Sequence, residues 1–266
     1  MKTTSSFRLL TLAGALAFVL SAPVSRAILL DWDTLTWTPG ALTQSFDIDP
    51  GNLGNDVTVT IGGDTSFLTG GSPKLSTALT GGLLPVENSL LLSAVWNTTA
   101  QAVTVTVDFH YGSFGVTQVA YKLFDVDTGT GDLTTAVDQI RGISASTTAL
   151  TTVGPTITAG TANVLTGSGS FATDQVVTGT AESPPTSASG NVGFDYVGTP
   201  LTQFVFTFGN DASATTPPTG QSIALHDISF TPVPEAGTVA ACAVFSLLGA
   251  WGLRRMRRGQ AETVES

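Results

Sequence analysis

The segment Val103-Thr104-Val105-Thr106-Val107-Asp108-Phe109 alternates apolar and polar side chains without a break, and Val57-Thr58-Val59-Thr60-Ile61 does the same. Successive side chains of an extended chain point to opposite faces, so such a run buries one clean face as a strand of an antiparallel sheet. A helix would scatter the same valines around its circumference. Further candidate strands are 32–37, 45–48, 90–96, 116–124, 137–145, 192–197, 201–208 and 223–230, about ten in all. None is followed by a convincing amphipathic helix. Connectors such as Gly62-Gly63-Asp64, Gly70-Gly71-Ser72-Pro73 and Ser183-Pro184-Pro185 carry turn chemistry. With 43 Thr and 29 Gly but few charged residues, the composition also disfavours long helices.

These observations predict an all-β fold, an antiparallel two-sheet β-sandwich of jelly-roll type, occupying residues 28–231. Two smaller Ig-like sandwiches divided near Gly154-Pro155 are the alternative. Residues 145–190 are rich in Thr, Ser, Ala and Gly, with too little pattern to choose between edge strands and surface loops.

Seven of the ten basic residues lie in the terminal segments, and residues 28–235 keep Lys74, Lys122 and Arg141 against 18 acids, a formal charge of −15. So acidic a surface repels phosphate backbones, which excludes nucleic acid as a partner. Cations, neutral glycans and basic protein patches remain. The single Cys, Cys242, lies in an apolar tail, so residues 28–231 form no disulfide.

At the N-terminus, Lys2 and Arg8 precede an apolar run from Leu9 to Leu20, and Ser25-Arg26-Ala27 places small side chains at cleavage subsites. Residues 1–27 thus read as a secretory signal peptide cut after Ala27. At the C-terminus, Val233-Pro234-Glu235 leads into the apolar residues 236–253 and then Arg254, Arg255, Arg257 and Arg258. Eighteen residues make a helix of about 27 Å, enough to span a bilayer. The arginines act as a stop-transfer cluster and stay cytoplasmic with residues 259–266, leaving the main domain outside.

A Pro-Glu motif, one apolar helix and a terminal basic cluster, in that order, resemble the PEP-CTERM sorting signal of Gram-negative bacteria. The resemblance covers residues 232–258, with Ala236 where the family usually has Pro. It implies an exosortase-like processing enzyme as partner and an inner-membrane-anchored precursor passed to the cell surface or extracellular matrix. Because the family occurs in bacteria that make exopolysaccharide and biofilm, it also implies a matrix or adhesion role.

Within the domain, the loop after residues 116–124 carries Asp125, Asp127 and Asp132 with Gly129 and Gly131, and Asp138 follows at the next strand. Clustered carboxylates on a Gly-rich turn suit Ca²⁺, a hard ion that takes six to eight oxygen ligands, although the spacing is not that of an EF-hand. An acidic solvated turn is the plainer alternative. In the last strand, Ile223 and Leu225 share one face while Ile228 and Phe230 fall in the opposite phase. That slip predicts a β-bulge at His226-Asp227 which aims one of them into a cleft.

Catalytic motifs are sparse. His110 and His226 are the only histidines, and neither HExxH nor GxSxG occurs. A glycosidase needs only two carboxylates, so a carbohydrate-active hydrolase stays as the alternative to a non-catalytic structural or glycan-binding protein. Trp32, Trp37, Trp96 and Tyr111 are candidates for flat faces against sugar rings, with core packing as the competing fate of the tryptophans. The expectation is an exported, surface-anchored, non-catalytic protein of the cell envelope or exopolysaccharide matrix.

Overall fold

A computed structural model describes residues 26–129, 135–215, 217–218 and 220–234. Nearly all of these form one compact unit, Ala27–Val233; of the second unit, Met1–Arg26 with Pro234–Ser266, only Arg26 and Pro234 are described. Sixteen strands are found among the described residues. The first eight are β1 (Ile28–Leu30), β2 (Thr43–Phe46), β3 (Val57–Gly63), β4 (Lys74–Ser76), β5 (Ser89–Ala94), β6 (Ala102–Phe109), β7 (Val116–Phe124) and β8 (Asp138–Thr147). The others are β9 (Thr152–Val153), β10 (Thr156–Ala159), β11 (Asn163–Thr166), β12 (Val176–Gly179), β13 (Val192–Tyr196), β14 (Leu201–Asn210), β15 (Gln221–Leu225) and β16 (Ile228–Pro232). The described residues include no α-helix, only a 3₁₀ turn at Thr65–Phe67, and no helix among them is long and apolar enough to cross a membrane. The expected signal peptide and the helix over 236–253 lie outside the described residues.

All pairings between named strands are antiparallel, and the strands form one curled sheet with two facing halves. One half runs β2-β3-β6-β14-β8, with β12-β11 and β9 along the far edge of β8. The other runs β10-β13-β7, then β15 and β16 end to end along β7, with β5-β4 beyond β15 and β1 beyond β16. Between named strands a single residue pair, Leu201 with Val116, joins the halves through hydrogen-bonded pairing. Side chains do the rest: Tyr121 of β7 stacks on Phe204 of β14 at 4.3 Å, and Phe109 of β6 meets Phe230 of β16 at 5.0 Å. Strand β14 lies between β6 and β8, so no division falls at Gly154-Pro155.

The alternation dictates the core. Val103, Val105, Val107 and Phe109 point inward from β6 and are buried, as Val57, Val59 and Ile61 are from β3. Strand β5 is buried along both faces because the segment before it folds over its outer side. There Leu79, Leu91, Phe124 and Ala224 make a small second core. Gly81 sits flat on the Phe124 ring, where a Cβ would come within 2.4 Å of a ring carbon.

One expected strand is absent. Residues 32–37 form a turn and an extended stretch, because the Asp31 carboxylate accepts the Asp33 N–H at 2.8 Å and its carbonyl accepts the Thr34 N–H at 3.1 Å. Trp32 and Trp37 plug the sandwich with Phe46, at ring separations of 5.8–6.3 Å. The weakly patterned residues 145–190 include the short strands β9 to β12.

Candidate functional site

The slip in alternation is a true interruption: β15 ends at Leu225, β16 starts at Ile228, and both of those residues are buried. Between them the His226 N–H donates to the Lys122 carbonyl at 3.0 Å, so the backbone stays attached to β7 while two side chains turn outward. The His226 ring stacks on Phe124 at 4.9 Å. Its Nε2 lies 3.5 Å from Glu87 Oε2, and its Nδ1 lies 3.4 Å from Ser89 Oγ. Asp227 Oδ1 accepts the Trp32 N–H at 3.0 Å. Burial raises the Asp227 carboxyl above its ordinary value; the Trp32 N–H and His226 oppose this, and the charges of Asp31 and Glu87 add to it. Asn88 ties the Glu87 segment to the Asp31 turn, donating from its backbone N–H and Nδ2 to Asp33 Oδ1 at 2.9 and 2.7 Å. His226 and Asp227 also border a groove of about 260 Å³ lined by Leu29, Ala120, Lys122, Gly193 and Asp195.

The acidic loop follows β7. Asp125 adopts φ 64°, a left-handed conformation that Asp tolerates better than most residues. Its Oδ1 is buried without a hydrogen-bond partner among the described residues. Burial, then the charge of Asp127, pushes the Asp125 carboxyl up to about 7. Asp127 is raised to about 6 by burial and by Glu182, against the Ser183 N–H that it accepts at 2.7 Å. Asp138 is 3% exposed and raised by burial and by both neighbours, while Gln221 Nε2 donates to its Oδ1 at 2.6 Å. No cationic side chain is among the groups that perturb these three carboxyls. Asp132 lies outside the described residues.

A third feature had no sequence signal. Phe171 is 53% exposed, the only aromatic among the exposed large hydrophobic residues described, and adopts φ 65°. A left-handed conformation costs a residue with a Cβ about 1–2 kcal/mol, so the surroundings must hold it. The Phe171 N–H donates to the Pro155 carbonyl, and its own carbonyl accepts the Gly154 N–H, both at 3.0 Å. Gly154 is required there, since a Cβ would lie 1.8 Å from the Ala172 carbonyl oxygen. Buried Gln175 donates to the carbonyls of Pro155 and Ala172 at 2.9 and 2.8 Å and closes the loop. The ring stands at a cleft of about 230 Å³ lined by Val153, Gly154, Tyr196, Val197, Thr199 and Leu201.

Trp32, Trp37 and Trp96 are at most 4% exposed, so none offers a face to a ligand, which corrects that expectation. They belong to the core because the sandwich ends need large apolar plugs. Tyr111 is half-buried against Phe230 at 5.7 Å, its phenol raised by burial and then by Asp56 and Asp49. Of the terminal residues, Ala27 is exposed immediately before β1, and Val233 donates its N–H to the Gly115 carbonyl at 3.1 Å. Pro234 is half-buried; Glu235, Arg254, Arg255, Arg257 and Arg258 lie outside the described residues.

No family model and no curated protein matches the chain. Among solved structures it is similar to a family 29 carbohydrate-binding module variant in complex with mannohexaose, at 10% identity and a TM-score of 0.32, over 79% of this chain and 93% of that one. It is also similar to a family 27 carbohydrate-binding module described for specific mannan recognition, at 9% identity and a TM-score of 0.33, over 79% and 100% of the two chains. Scores of this size establish neither a common fold nor a common ligand.

Proposed function

We propose that this protein is an exported, surface-anchored, non-catalytic component of a Gram-negative cell envelope or exopolysaccharide matrix, a jelly-roll-like sandwich that binds neutral glycan. The observation that carries the reading is Phe171. An exposed aromatic ring, held in a costly backbone conformation by a closed hydrogen-bond frame, is preorganised for a flat apolar face such as that of a pyranose ring. Val197 extends the apolar surface and Thr199 adds a hydroxyl for sugar oxygens. The negative domain charge favours neutral over acidic polysaccharide.

Export rests on the sequence of the two ends. The chain is cut after Ala27, and an exosortase-like enzyme acts at Val233-Pro234-Glu235, so mature surface protein should begin at Ile28. Recovery of surface protein that still carries Met1 or Lys2 would refute the signal peptide.

Calcium belongs to this reading as a stabilising ion held by Asp125 and Asp127, with Asp132 as a further ligand. It is supported by carboxyls buried together without a cationic partner among their perturbing groups. In the wild type the ion should raise Tm, and Asp125→Asn should abolish the rise. A Tm unmoved by millimolar Ca²⁺ would remove calcium from the reading.

The function is tested by retention of the full chain on the producing cell's exopolysaccharide, with released sugars assayed in the supernatant. Retention without release, weakened about thirtyfold by Phe171→Ala, a loss typical of a binding hot spot of about 2 kcal/mol, is the expected result. Sugar release abolished by Asp195→Asn or Asp227→Asn would instead establish a two-carboxylate hydrolase, the reading favoured by their shared groove.

A further inference from the structure

We propose that Glu87, His226 and Asp227 bind a divalent transition-metal ion of the zinc class, through one imidazole nitrogen and one carboxylate oxygen from each acid, with an open position for water. One candidate ligand atom from each residue lies within 4.8 Å of the other two. Neighbouring ligands on a tetrahedral ion at about 2.0–2.1 Å stand about 3.3 Å apart, a spacing that His226 Nε2 and Glu87 Oε2 nearly meet at 3.5 Å.

The surroundings already orient each ligand. Ser89 Oγ lies beside the Nδ1 of His226, Phe124 fixes the ring plane, and Nε2 faces Glu87. Asp227 is anchored through one oxygen by the Trp32 N–H, which leaves the other oxygen for a cation. The Glu87 segment is tied to the same Asp31 turn through Asn88. Three distant stretches of chain are thereby stitched around one point, the kind of supporting shell that sets ligand geometry in metal sites. An ion pair between His226 and Glu87 alone leaves the second carboxylate oxygen of Asp227 without a role. Calcium does not suit the set, because a hard ion wants oxygen ligands in greater number, whereas imidazole with carboxylate suits zinc and its neighbours. The site is separate from the Phe171 cleft and stands or falls independently of glycan binding.

The test is calorimetric titration of the untagged full-length chain, stripped with chelator, with Zn²⁺ and separately with Ca²⁺ and Mg²⁺. One Zn²⁺ per chain is expected. Glu87→Gln and His226→Gln should each weaken it at least tenfold, Ser89→Ala about tenfold through lost ring orientation, and His110→Gln not at all. Co²⁺ in place of Zn²⁺ should give visible absorption that Glu87→Gln removes. Failure of the wild type to take up Zn²⁺, or Zn²⁺ affinity unchanged in Glu87→Gln, would overturn the site. Ca²⁺ competing equally for it would overturn the metal class. Should His226→Gln fail to fold, the partly exposed Glu87 decides the question alone.

Discussion

Two loops of this protein bury carboxylates, and they treat them in opposite ways. Asp56 is fully buried, yet Asp56 Oδ2 accepts the Ile48 and Asp49 N–H groups at 2.6 Å each, and Oδ1 accepts Asn52 Nδ2 at 2.7 Å. Its backbone also accepts the His110 N–H and donates to the Phe46 carbonyl. That carboxylate is a structural hub: the loop before β3 is organised around it. In the loop after β7, Asp125 keeps a buried oxygen without a partner among the described residues, the charge of Asp127 adds to burial in raising Asp125, and both add to burial in raising Asp138. Burial alone therefore says little about function. What separates a structural acid from a cation-seeking one is whether donors have already been supplied.

The comparison can be broken most directly at Asp56. Asp56→Ala orphans three partly buried donors and should cost about 3 kcal/mol, a fall in Tm of several degrees for a domain of this size, visible in a thermal melt. A loss within about 0.5 kcal/mol would mean that the loop repairs itself with water and that the two loops do not differ.

Asp125→Asn should have a smaller effect of opposite sign. The folded carboxyl, raised to about 7, holds a proton that the unfolded chain has released, so its contribution to stability is full below the ordinary carboxylate range and is lost as pH rises through about 7. In chelator, the variant should melt above the wild type at pH 8 and draw level with it only at about pH 4. Equal melting at both pH values would show that the cluster is as well compensated as Asp56. With Ca²⁺ present at pH 8, the wild type should recover what the variant gains.

Phe171→Ala sharpens the contrast from outside both loops. Removing a half-exposed ring should shift stability by no more than about 0.5 kcal/mol while abolishing most glycan retention. A large stability loss would make Phe171 a packing residue and leave its conformation without a binding role.

Much of the framework is legible along the chain. Residues 116–124 were expected as a strand and are β7, and the alternations at 57–61 and 103–109 lie within β3 and β6. The phase slip at His226-Asp227 marks the place where β15 ends and β16 begins, a strand break where a bulge was the expectation, beside the groove. Residues 32–37 are rich enough in β-prone Trp and Thr to suggest a strand, whereas the Asp31 carboxylate holds a turn. Strands β9, β10 and β11 have little pattern because edge strands need bury little.

The sequence by itself determined which faces of the long strands are apolar, where alternation fails, and how negative the domain is, because side-chain period and charge are local properties. Only the tertiary structure decided that Asp138 joins Asp125 and Asp127, that Glu87 meets His226 across 139 positions of chain, and that Gly154 and Gln175 hold Phe171 at the mouth of a cleft. Those juxtapositions depend on strand register and loop closure between remote segments, and no local periodicity records them.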